Sequence, residues 1–229
     1  SKIYFGRKRS NQILSKKNYI GIFGGSFDPI HRGHLESLKN VTEKLNLSKV
    51  LVIPNKVSPL KKMSIASSLE KIKMLKIAFK EFKEIEIEDY ELKKEGQSFM
   101  IETLQYLEEK LEKKNHLLLI IGEDAFQSFH RWKSYQEIMK MTSILVMNRP
   151  GLNNILTSNA IEFHQDSIEN SHGNKNFEKG KIYFIKIKPN LASSSHIREN
   201  IDNQRVLAED LDEGVMKYLQ EQKIYNKYD

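Results

Sequence analysis

Gly24-Gly25-Ser26-Phe27-Asp28-Pro29-Ile30-His31-Arg32-Gly33-His34 joins a strand end, a glycine turn and two histidines at the start of a helix. Upstream, residues 19–23 read as a short buried strand. Downstream, Leu35, Leu38, Val41 and Leu45 recur at helical spacing, so the stretch sits on a strand-to-helix turn. Free backbone N–H groups and the positive end of a helix dipole gather at such a turn, which makes it a place for phosphates. His31 and His34 lie three apart and share one face of the helix start, so both imidazoles can point above the strand ends and flank one phosphate. A pair of surface histidines, or two ligands of a metal, are the alternatives. A metal would need a third ligand, and no nearby cysteine or clustered carboxylate offers one.

Outward from this turn, short apolar runs alternate with helical patterns. Residues 50–53 read as a strand, followed by Leu69, Ile72, Leu75, Phe79 and Phe82 at helical spacing; Met100, Leu104, Leu107 and Leu111 then lead into the apolar run 117–121. Residues 144–147 and 182–187 supply two further strands, and Val215, Tyr218, Leu219 and Gln222 mark a closing helix. This alternation predicts one α/β domain over 19–229: a doubly wound parallel sheet covered on both faces, with a small C-terminal helical part. Ligands in such sheets bind beyond the carboxyl ends of the strands.

Composition bounds the rest. A chain of 229 residues, 39% hydrophobic, is long enough for one well-buried α/β domain. The longest apolar run, 117–121, is far too short to cross a bilayer, and no signal-type segment follows the basic start, so a cytoplasmic protein without a membrane partner is expected. The absence of cysteine excludes disulfide and thiol chemistry. A net charge of +7 suits polyanionic ligands. Lys71, Lys73, Lys76, Lys80 and Lys83 are interleaved with glutamates and read as a solvated helix face, so no nucleic-acid partner is expected. Residues 1–18 carry six basic side chains and no acidic one, which reads as a flexible extension, and residues 152–180, rich in Asn, Ser, Glu, Lys and Gly, read as a long surface loop.

The opening stretch resembles the HxGH nucleotidyltransferases, and within them the bacterial nicotinate-nucleotide adenylyltransferase family. The likeness recurs in order through Ser58-Pro59-Leu60-Lys61, residues 96–104, Gly122-Glu123-Asp124, Trp132, Arg149-Pro150-Gly151 and Ser193-Ser194-Ser195-His196-Ile197-Arg198. It implies a Rossmann-like domain that transfers AMP from Mg·ATP to nicotinate mononucleotide, giving deamido-NAD and pyrophosphate. On the ATP side it implies Gly24, Gly25, Ser26, Phe27 and Gly33 around the turn, with His31 and His34 on the α- and β-phosphates. Ser193, Ser194, Ser195 and Ile197 form a second phosphate motif, Arg198 clamps an outer phosphate, and Gly122 with Asp124 meets the adenosine. His31, His34 and Arg198 are the expected catalytic residues. On the acceptor side it implies Gly25, Ser26, Lys61, Thr103 and Arg149, with the nicotinate ring against Trp132 and its carboxylate on backbone amides near Met100 and Lys133.

Adenylyl transfer asks a protein mainly to position phosphates and neutralise charge. The attacking group is already a phosphate anion, so no covalent intermediate is required. Mg²⁺ is expected to arrive on the ATP phosphates, with no metal site built from protein side chains. The chain departs from the family at Leu60, where histidine is usual, at Phe99-Met100 in place of Tyr-Thr, at Glu123 in place of a small residue, and at Ser195 in place of threonine. Whether the chain forms a homo-oligomer is left open. Rival readings are another HxGH enzyme, such as a phosphopantetheine adenylyltransferase, and a basic nucleic-acid-binding protein. Lys61-Lys62-Met63-Ser64 echoes a class I aminoacyl-tRNA synthetase signature, but about thirty residues after His34 leave too little chain for the intervening sheet.

Overall fold

Strands and helices alternate along the chain because buried aliphatic runs alternate with amphipathic ones. The computed structural model describes residues 18–56, 64–148, 158–169, 176–188, 190–201 and 209–226. The first half runs β1 (Asn18–Gly25), α1 (Arg32–Leu45), β2 (Lys49–Pro54), α2 (Ser68–Ala78), β3 (Ile85–Ile87), α3 (Tyr90–Lys93) and α4 (Met100–Lys110). The second half runs β4 (Asn115–Gly122), α5 (Glu123–Gln127), a 3-10 turn at Phe129–Arg131, α6 (Tyr135–Met141), β5 (Ser143–Asn148), α7 (Ser158–Phe163), β6 (Ile182–Lys186), α8 (Ser194–Asn200) and α9 (Glu213–Glu221).

All six strands form one parallel sheet in the order β3-β2-β1-β4-β5-β6. The chain builds outward from β1 in one direction, then returns to add β4, β5 and β6 on the other side. The order therefore reverses between β1 and β4, and a crevice opens beyond their carboxyl ends. This is the expected doubly wound, Rossmann-like architecture.

Strand alternation supplies a core on each face. Val50, Val52, Leu118, Ile120, Leu145 and Met147 face α1, α2 and α9 with Leu38, Val41, Met74, Leu75, Val215 and Leu219. Ile20, Ile22, Leu51, Ile53, Leu119, Ile121, Ile144 and Val146 face the other layer, with Leu104 and Leu107 of α4, Phe126 of α5 and Ile138 of α6. Gly21 in mid-strand is a close-packing position: a Cβ there would stand 2.9 Å from Ile120 Cδ1.

The structure adds elements that the sequence pattern did not mark and corrects one reading. β3 is three residues long, and α3, α5, α6 and α7 are each too short for a periodic signal. Asn18 lies in β1, paired with Asn115, while residues 1–17 fall outside the described ones. In the described part of 152–180, Ala160, His164 and Phe177 are buried. Lys71 does not belong to a solvated face. It is 1% exposed, and its ammonium donates to the Asn55 carbonyl at 2.8 Å and to Ser64 Oγ at 2.6 Å. Burial holds its pKa below the ordinary lysine range, against the pull of Asp28. No helix among the described residues is long and apolar enough to cross a membrane.

Candidate active site

β1 ends in Gly24-Gly25, and the chain then turns through Phe27, whose φ of 47° lies in the left-handed region, into His31, the residue that begins α1. A Cβ on Gly25 would meet the Phe27 ring at 2.9 Å, so the turn closes this tightly only with glycine there. The His31 backbone N–H donates to His34 Nδ1 at 3.4 Å, which leaves Nε2 of a neutral His34 as its donor nitrogen. The two imidazoles stack with centroids 3.7 Å apart, and His34 also meets the Phe27 ring edge-on at 5.1 Å. Gly33 makes room for this pair: a Cβ there would come 2.9 Å from His31 Cε1 and Nδ1.

The serine motif reaches the same turn from the far end of the chain. Ser193 accepts from the His196 N–H at 3.2 Å and begins α8. Ser194 Oγ donates to the Pro29 carbonyl at 2.9 Å. Arg198 donates from Nη1 to the Asp28 carbonyl at 2.6 Å and from Nη2 to Ser195 Oγ at 3.2 Å. Asp28 is the knot in this arrangement. Its buried carboxylate accepts from the backbone N–H groups of Ile65 (2.9 Å) and Ala66 (3.0 Å) and from the Tyr225 hydroxyl (2.6 Å). Burial and the contact with Asp28 push the Tyr225 phenol far above its ordinary range, so it stays protonated and donates.

Above these motifs, at the β1/β4 reversal, lies a cavity of ≈ 1060 Å³. Of the residues expected on the ATP side, Gly24, Gly25, Ser26, Phe27, His31, His34, Gly122, Asp124, Ser193, Ser194 and Ser195 line it. Gly33 and Ile197 do not; Gly33 lies behind the His31 ring and Ile197 is fully buried in the core. Arg198 does not line the cavity either. Its fork is turned under the Asp28-Pro29 backbone. Gly122 ends β4 and caps α5, so Asp124 is an exposed first-turn residue rather than a cap.

On the acceptor side, Met100, Trp132 and Lys133 also line the cavity, Met100 beside Gly24, and Trp132 half-buried and edge-on to Phe129 at 5.4 Å. Thr103 is fully buried and is not among the residues that line the cavity, and its hydroxyl donates to Glu91 Oε1 at 2.6 Å. Lys61 and Arg149 lie outside the described residues.

Glu91 itself was missed. It lines the cavity, is 4% exposed, and burial pushes its carboxyl above the ordinary range despite the Thr103 and Ser98 hydroxyls beside it. It sits on a four-residue helix, so no periodicity marks it. Glu123, Ser128 and Arg131 also line the cavity; Arg131 stands directly before Trp132, an adjacency that could have drawn attention to it. Among the described residues, no group of three or more His, Cys, Asp or Glu side chains could hold a metal ion.

Two motifs far apart in the chain meet on one glycine turn at the sheet's topological switch. Residues 22–200 match the cytidylyltransferase-like family. A relative in Aquifex aeolicus, "Probable nicotinate-nucleotide adenylyltransferase", is 40% identical over 131 residues, 57% of this chain and 77% of the relative. One of the same name in Clostridium beijerinckii is 34% identical over 192 residues, 82% of this chain and 89% of the relative. The chain belongs to this cytidylyltransferase-like group and, within it, to the nicotinate-nucleotide adenylyltransferase family. The solved Plasmodium falciparum nicotinic acid mononucleotide adenylyltransferase complexed with NaAD superposes with a TM-score of 0.71 over 91% of this chain and 98% of that one. At 17% identity that likeness concerns the fold.

Proposed function

We propose that this chain transfers the adenylyl group of Mg·ATP to nicotinate mononucleotide, giving deamido-NAD and pyrophosphate. The observation that carries this reading is the meeting of the Gly24–His34 and Ser193–Arg198 motifs at the Asp28-Pro29 backbone, beneath a cavity large enough for two nucleotides end to end. The acceptor's phosphate oxygen attacks the α-phosphorus of ATP; the new P–O bond forms as the bond to the bridging oxygen breaks and pyrophosphate leaves. Charge that gathers on the transferring and leaving phosphates meets His31 and His34 at the helix start and the Ser193–Ser195 hydroxyls at the rim. Arg198 braces the site by holding the Asp28 carbonyl and Ser195 together, and its fork would have to turn toward the cavity to clamp an outer phosphate.

Gly122 and Asp124 border the adenosine, and Trp132 offers a stacking face to the pyridine ring, with the backbone at Met100 and Lys133 beside it. Thr103 is carried to the acceptor side by the family resemblance alone; its hydroxyl is held by Glu91, which lines the cavity. Mg²⁺ enters as part of the substrate, on phosphate oxygens and water, in keeping with its preference for oxygen ligands in octahedral geometry. A cytoplasmic location, with access to the ATP pool, is part of this reading. The test is a panel: purified protein, Mg·ATP and one acceptor at a time, with pyrophosphate as the readout. Nicotinate mononucleotide is expected to support turnover, and release with phosphopantetheine alone would overturn the acceptor assignment.

A further inference from the structure

The acceptor end of the cavity is bordered by two strips from different parts of the chain, Phe99-Met100 at the start of α4 and Trp132-Lys133 after the 3-10 turn. One ion cluster ties them together. Glu102 Oε1 lies 2.8 Å from Lys133 Nζ, and Glu102 Oε2 pairs with Lys94. Lys133 Nζ also sits 4.3 Å over the face of the Phe99 ring, a second link between the strips. Hydrogen bonds from the two lysines hold the Glu102 carboxyl below its ordinary range, so it is ionised. Lys94 and Glu102 keep only 27% and 28% of their side-chain surface, and Lys133 49%, so solvent screens the cluster incompletely.

Two ammonium groups share one carboxylate, so the cluster itself carries one positive charge in excess, while the carboxylates of Glu123 and Asp124 also line the cavity. Glu91, on the same wall, is buried, which pushes its carboxyl above the ordinary range, and it accepts from the Thr103 hydroxyl. Arg131, on the same strip as Trp132, adds to the positive side.

We propose that the Lys94–Glu102–Lys133 cluster is a specificity determinant that favours an acceptor whose aromatic ring bears a negative charge over one whose ring substituent is neutral. The inference rests on the adenylyltransferase reading above and names what this end of the pocket selects. It assigns the Lys133 side chain a task of its own, separate from the backbone at that position. The cluster acts through charge, and this separates it from a merely structural tie: losing either partner breaks the bridge, but the two losses change the rim charge in opposite directions.

The experiment is kcat/KM for nicotinate mononucleotide and for nicotinamide mononucleotide, at low and high ionic strength, in wild type, Lys133→Met, Glu102→Gln and Lys133→Arg. Lys133→Met is expected to lower the acid-to-amide ratio by roughly two- to fivefold, the scale of a partly exposed charge pair. Glu102→Gln is expected to raise it by a similar factor, and Lys133→Arg to keep it near wild type. Both shifts fade at high salt. A ratio that moves the same way in Lys133→Met and Glu102→Gln, moves in neither, or ignores salt would overturn the proposal while leaving the adenylyltransferase reading intact. A wild-type protein that turns over neither mononucleotide would overturn that reading and the proposal with it.

Discussion

His31 and His34 stack face to face because Gly33 carries no side chain between them and Ala192. On the proposed reaction, two imidazoles held this way would present donors to phosphates without any rearrangement at the moment of transfer, which is where electrostatic catalysis gains most. His34→Ala should therefore keep its fold and lose about a hundredfold in turnover, the scale of removing one such donor; near-native turnover in a folded variant would contradict the role. The place of both histidines at the start of α1 was legible in the sequence, since helical spacing and the glycine turn were local signals. Glu91 was not, because its meaning depends on Thr103 and Ser98, which reach it only in the folded chain. Its native pKa is raised, so the neutral form is the better folded one, and wild-type stability declines as pH climbs from about 4, the ordinary glutamate value, towards the raised value. In thermal melts across that window the stability of Glu91→Gln relative to wild type should rise with pH. A relative stability that falls with pH would mean a carboxyl shifted the other way.

At the scale of elements, the segment after α9 acts as a strap. Asp212 caps α9 by accepting from Gly214 N–H at 2.9 Å and Val215 N–H at 3.2 Å, and α9 packs on α2. Beyond it, Tyr225 reaches the buried Asp28 on the phosphate turn. Tyr225→Phe removes a donor from a buried carboxylate, which costs about 1–3 kcal/mol. Because Asp28 shares its backbone with the Arg198 and Ser194 contacts, the variant should also raise the apparent KM for ATP more than that for the acceptor. Denaturation with urea and a pair of KM measurements check both parts; unchanged stability with unchanged KM values would show that the strap is dispensable. α9 itself was readable from Val215, Tyr218 and Leu219, but its purpose was not, because hydrophobic spacing reports a buried face and says nothing of what a residue beyond the helix will touch. Lys71 is the same lesson inverted. Its neighbours in sequence are those of a solvated helix face, and only the fold brings the Asn55 carbonyl and Ser64 hydroxyl to its ammonium.

For the whole molecule, the parallel sheet was foreshadowed by apolar runs too short for helices and separated by helical patterns, and the reversal between β1 and β4 then placed the cavity. The pairing of the Gly24–His34 turn with Ser193–Arg198 was expected from resemblance alone, since no spacing rule connects residues so far apart in the chain. Arg198 shows the limit of that expectation: the residue is where the motif puts it, yet its fork binds the turn's own backbone and Ser195 instead of lining the cavity. On the proposed reaction, the two motifs together hold ATP so that its α-phosphorus, and no other, is transferred. This is tested most directly by supplying ATP radiolabelled at either the α- or the γ-phosphate together with nicotinate mononucleotide and following the label. α-Label is expected in the dinucleotide and γ-label in the released pyrophosphate; γ-label on the acceptor, or α-label left behind in free AMP with no dinucleotide formed, would overturn the proposed reaction.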